Sequence, residues 1–75
     1  MENSIKWEIA VLDGRTIRKF INRMNKLGAD IKIDRPNHKA IYSAQGVKIF
    51  SALKYKSGWD CRIVNLFVND LKSCF

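Results

Sequence analysis

The sequence predicts a small, mainly α-helical domain carrying one β-hairpin, and three observations lead there. Residues 14–27 repeat apolar side chains at helical spacing, Ser43 and Ser57 stand where helix caps stand ahead of two further apolar stretches, and Pro36-Asn37 separates two short β-prone runs. A chain of 75 residues, 47% of them apolar, builds one domain around a thin core.

Taken in order, Asn3-Ser4 fit the cap of a first short helix through Ile5–Ala10. Ile5, Trp7, Ile9 and Val11 also alternate strictly, as in a strand, so periodicity leaves residues 5–12 open between the two; the fold class takes the helix. Asp13 is placed to cap the second helix, residues 14–27, with Gly14 easing the entry and Gly28 closing it through a left-handed residue. At 100° per residue Ile17, Phe20, Ile21, Met24 and Leu27 share one arc, the mark of a core-facing helix. A hairpin over 31–42 follows, its strands Ile31–Ile33 and Ala40–Tyr42 flanking a basic tip at 34–39 in which Pro36 and Asn37 take the central turn positions. Ser43 then caps a third helix from Ala44 to about Tyr55, with Gly46, Val47, Ile49, Phe50 and Leu53 inward, and Ser57 opens a fourth, running to about Ser73. The apolar arc of that last helix (Trp59, Ile63, Val64, Leu66, Phe67, Val68, Leu71) exceeds half the circumference. The excess predicts a homodimer or higher assembly through the C-terminal helix, contact with a further C-terminal segment, or a helix wedged into the domain's own small core.

Charge points to the partner. Fourteen Lys and Arg against seven Asp and Glu leave a formal charge of +7 and a pI near 9.8, which suits a polyanion. The solvent arc of the second helix carries Arg15, Lys19, Asn22 and Lys26, flanked by Arg18 and Arg23, with no carboxylate between Arg15 and Leu27. An ordinary solvated basic face usually intersperses Glu or Asp at i, i+4; this one offers guanidinium forks for phosphate or guanine and an amide for adenine. On the hairpin tip Arg35, Asn37, His38 and Lys39 are placed to reach a phosphate backbone or a minor groove, or simply to keep a turn solvated.

Other classes are disfavoured. Cys61 and Cys74 are too far apart for a metal-binding pair and His38 is the only histidine, so no metal site or cofactor is expected and both thiols are read as reduced. The four glycines are scattered singly and no paired carboxylate or Ser-His-Asp set is present, so the chain is not expected to be an enzyme. No apolar run approaches a membrane span and Met1-Glu2-Asn3-Ser4 lacks a signal-peptide layout, so a cytoplasmic protein without membrane contact is expected.

In this order the elements resemble the winged helix-turn-helix DNA-binding domain of the MerR-like family, over roughly Asp13 to Leu71. Thr16-Ile17-Arg18-Lys19-Phe20 is similar to that family's Thr-Leu-Arg-Tyr/Lys-Tyr/Phe recognition-helix motif, and Gly28 to its closing glycine. Residues 34–42 resemble the wing, Ser43-Ala44-Gln45-Gly46-Val47-Lys48-Ile49-Phe50 the helix after it, and Gly58 the glycine before the last helix. The chain departs in having Gly46 for an acidic helix-start residue, no wing glycine and a shorter Ala10–Thr16 connection. The resemblance implies a sequence-preferring double-stranded DNA-binding protein, with helix 14–27 in the major groove and wing 31–42 on the flanking backbone. It implies Arg15, Thr16, Arg18 and Lys19 at groove and phosphates, and Arg35 and Lys39 on the backbone; Thr16 has a competing local role near the helix start. Transcription regulation, or plasmid or phage DNA maintenance, is the setting it implies, in a bacterial, phage or plasmid-encoded protein with no small-molecule effector.

Two alternatives stand beside this. Were residues 5–12 and 59–68 strands, the order would become a ferredoxin-like βαββαβ sheet binding RNA or a protein. A phage-encoded inhibitor directed at a protein partner would need no DNA affinity.

Overall fold

The computed structural model describes residues 6–56 and 58–75. The chain forms β1 (Trp7–Leu12), α1 (Gly14–Lys26), β2 (Asp30–Arg35), β3 (His38–Tyr42), β4 (Lys48–Tyr55), β5 (Gly58–Val64), a 3-10 turn (Asn65–Phe67) and α2 (Val68–Lys72). All five strands join one antiparallel sheet in the order β1-β5-β4-β3-β2. The first and second strands are therefore the two edges, and α1 carries the chain from one to the other across a single face.

This overturns the mainly helical, MerR-like winged helix-turn-helix reading. Residues 7–12 form a strand, so the alternation of Trp7, Ile9 and Val11 outweighs the capped-helix alternative; the proposed Asn3-Ser4 cap lies outside the described residues. Among the described residues no helix precedes α1 to make a helix-turn-helix. The third helix is absent: Ser43 accepts the Val47 N–H through Oγ at 3.1 Å, closing a turn, and Lys48–Tyr55 is β4. Its helical look has a local cause. A register shift at Ile41/Tyr42 sets Ile49 as well as Phe50 into the core, and two adjacent inward residues mimic helical spacing. The fourth helix is mostly β5, whose buried Trp59, Cys61 and Ile63 alternate, and only Val68–Lys72 is α-helical. The overly wide arc was a strand wound as a helix; the Ser57 cap is not among the described residues. The hairpin is present, its turn at Pro36-Asn37, but it forms two strands of the sheet and not a free wing. The ferredoxin-like alternative had both strands in place, yet β4 stands where it needs its second helix.

Helix α1 forms as expected. The Asp13 carboxylate accepts the Thr16 N–H at 2.8 Å, and Gly28, at φ 93°, takes the left-handed conformation beyond the C-cap Leu27. Its stripe of Ile17, Phe20 and Met24 is buried over the sheet against Ile41, Phe50, Ala52, Cys61 and Ile63. Phe20 and Phe50 meet with ring centroids 4.8 Å apart, tilted by 55°. Helix α2 folds back beside α1, adding Leu71 and Cys74 to the core. Gly58, at φ 145°, lets β5 pass close to β1: a Cβ there would stand 3.1 Å from the Leu12 carbonyl oxygen.

One helix against one sheet face is a small core, so each large side chain in it weighs heavily. Phe50→Ala is expected to cost about 3–5 kcal/mol in urea unfolding, whereas Leu66→Ala, at a position 72% exposed, changes stability by less than about 0.5 kcal/mol.

Candidate nucleic-acid interface

Packing the apolar stripe of α1 on the sheet turns its other side to solvent. Arg15, Arg18, Lys19, Asn22 and Lys26 are all exposed there, along a rod about 20 Å long. Lys19, Asn22, Arg23, Lys26 and Leu27 line a shallow groove along it. None of Arg15, Arg18, Lys19 or Lys26 has a carboxylate within ion-pair distance among the described residues. Arg18 bends back toward the start of the helix: a Cβ on Gly14 would lie 3.8 Å from both Arg18 Nη1 and Trp59 Nε1.

Two residues expected on this face also make contacts within the fold. Arg23 is engaged by Asp70 of α2, with Nε at 3.0 Å and Nη2 at 2.9 Å from the same carboxylate oxygen, a tether between the helices. Thr16 is half-buried, and its backbone N–H donates to the Asp13 carboxylate at 2.8 Å, so it takes part in the helix cap. Arg23 and Lys26 in the last turn also favour the helix dipole whatever else they contact.

The hairpin residues do not assemble into a second arm of the same site. Lys39 points under the helix, where it pairs with Asp34 and sits 5.7 Å from the Trp59 ring centroid. His38 lies on the opposite sheet face, beside Leu53 and Asp60, and Arg35 pairs with it in register. Asn37 contributes its carbonyl to the Lys54 N–H at 2.9 Å, fixing the turn against β4.

Sequence reasoning missed Lys54 and Lys56, which line a hollow with Asp13 and Gly14 at the end of the sheet where α1 begins. Read as the tail of a helix they had no partner; alternation along β4 was the available signal. It also missed the uncovered sheet face, where Ile9, Ser51, Leu53, Tyr55, Asp60 and Arg62 line a shallow concavity.

Comparison with protein-family models, curated protein sequences and solved structures finds no match. Among the described residues no group of three or more His, Cys, Asp or Glu is arranged to hold a metal ion, and no helix is long and apolar enough to cross a membrane.

Hydrogen bonds from the Thr16 backbone N–H and then its hydroxyl hold the Asp13 carboxyl below its ordinary 3.8, with Arg15 and Lys19 adding to the effect. A group whose folded value is lowered contributes in full above the unfolded value and loses that contribution as pH falls through the folded one. The Tm gap between wild type and Asp13→Ala is therefore expected to stay constant from about pH 8 to about pH 5 and to close below about pH 4. Burial pushes the Cys61 thiol up to about 12 and raises that of Cys74 as well, and both are free and buried. A thiol-directed reagent near pH 8 is expected to label neither until the protein is unfolded in guanidinium.

Proposed function

We propose that the chain binds double-stranded DNA through the solvent face of α1, with phosphate contacts supplying most of the affinity. One observation carries this reading: Arg15, Arg18, Lys19 and Lys26 lie on one helix face free of carboxylates in a chain of charge +7. A helix backed by a sheet presents a convex ridge, and the major groove, about 12 Å wide, admits such a ridge. Arg15 and Arg18 at its start, with Lys54 and Lys56 beside them, meet one stretch of backbone; Lys19 and Lys26 meet the other. Asn22, between them, is the group placed to read a base edge, so sequence preference is modest and phosphate-driven binding dominates.

The opposite sheet face is a poorer polyanion site, because Asp60 stands beside Arg62 there. The regulatory and maintenance roles rested on the family resemblance and form no part of this proposal. A cytoplasmic location accords with a DNA partner and belongs to this proposal.

Fluorescence polarisation with a labelled mixed-sequence duplex over a salt series tests the reading. Replacing Arg15, Arg18 and Lys19 together by Ala is expected to weaken binding and lower the log–log salt slope by about 3, while Arg62→Ala on the other face leaves the slope unchanged. An unchanged slope in the triple variant, an equal loss from Arg62→Ala, or tighter binding of single strands than of duplex overturns it.

A further inference from the structure

The two edges of the sheet are built differently. Strand β2 is charged at Asp30, Lys32, Asp34 and Arg35, is irregular between Ile31 and Ile33, and runs into Pro36, all devices that discourage a foreign strand. Strand β1 has no bulge and no proline, and its single charged residue, Glu8, lies on the helix-side face. On the uncovered face it displays Trp7, Ile9 and Val11 at 44%, 74% and 62% exposure, on alternate residues.

The backbone direction of β1 can be read from its pairing. The Asn65 N–H donates to the Lys6 carbonyl at 2.8 Å. Counting in twos along the β1–β5 register, Glu8, Ala10 and Leu12 turn their backbone groups toward β5, so the N–H and C=O of Trp7, Ile9 and Val11 point away from the sheet. Among the described residues the edge hydrogen-bonding groups of these three have no partner, and their apolar side chains are exposed.

We propose that this edge pairs with β1 of a second copy, antiparallel, about a two-fold axis normal to the sheet, giving a continuous ten-stranded sheet. Such an axis keeps each face on its own side, so only registers placing like-facing residues opposite one another are allowed. Of these, the register centred on Ile9 sets Ile9 against its counterpart and Trp7 against Val11, pairing every outward N–H and C=O of the three residues in both copies. No charged residue then faces another: Glu8 stands opposite Ala10, and Lys6 opposite Leu12. Moving the centre to Glu8 would set the two carboxylates face to face, which selects against that slip. A second copy is favoured over a strand from another protein because β1 complements itself residue by residue. The inference is independent of DNA binding, and the α1 faces of both copies stay uncovered.

Sedimentation velocity on the nucleic-acid-free protein, from about 5 μM to about 500 μM, tests it. A monomer–dimer equilibrium is expected, strengthening as salt rises and screens the repulsion between two +7 chains, opposite in sign to the salt dependence of DNA binding. Ile9→Lys is expected to weaken association at least about tenfold by bringing two cations together at the axis. Ile9→Pro removes an outward N–H but no β1–β5 bond; should it fail to fold, Ile9→Lys decides. In the wild type the amides of Trp7, Ile9 and Val11 are expected to gain hydrogen-exchange protection with concentration. A wild type that stays monomeric throughout, or a dimer that survives Ile9→Lys in a folded protein, overturns the proposal.

Discussion

Contact between the Phe20–Met24 stripe of α1 and the inner face of the sheet is the constraint on which the rest depends. The sheet has five strands and one long helix to cover them, so the burial of Ile17, Phe20 and Met24 against Phe50, Ile41 and Ile63 creates nearly all of the interior. It also fixes what is left outside. With the apolar arc turned inward, the cations of α1 have no choice but solvent, and with α1 committed to one face the other face stays open.

The charge distribution follows from the same packing. Where a cation meets the interior or its rim it acquires a partner: Lys39 takes Asp34 and the Trp59 ring, and Arg23 takes Asp70. These pairs are partly screened by water, and they contribute orientation more than energy. Cations on the crest of α1 receive no such partner among the described residues. A wholly structural role would leave that crest as a solvated basic surface, but the complete exclusion of Asp and Glu from residues 14–27 exceeds what solubility asks of a helix.

Local signals decided which elements could be read from the sequence. Helix α1 was legible because its cap, period and closing glycine agree within one segment, and the Pro36-Asn37 turn because turn chemistry is local. The later strands were not, since their inward residues depend on a register irregularity beside Ile49 and on the neighbour that each strand acquires only in the folded sheet. Ser43 illustrates the ambiguity: its hydroxyl serves a turn through Val47 as readily as it would serve a helix start. The cationic face was visible as one side of a helix, whereas Lys54 and Lys56 join its neighbourhood only through tertiary structure, and Lys39 leaves it for the same reason. The motif-level likeness to a helical DNA-binding family had no support from long-range pairing, which is where strand and helix were distinguished.

The pairing of β1 with β5 has a temporal consequence. Trp7 lies opposite Val64 and Leu12 opposite Trp59, so the earliest strand to leave the ribosome cannot find its place until the latest one has followed. Hydrogen bonds that span most of the polypeptide give a high contact order, and such topologies assemble slowly. Through that interval β1 is a nascent ribbon with two unsatisfied borders, carrying Trp7, Ile9 and Val11 with nothing to shelter them. The early hairpin and helix, both short-range, can organise first and await it, and the span between their formation and closure of the sheet is when the chain is most open to aggregation.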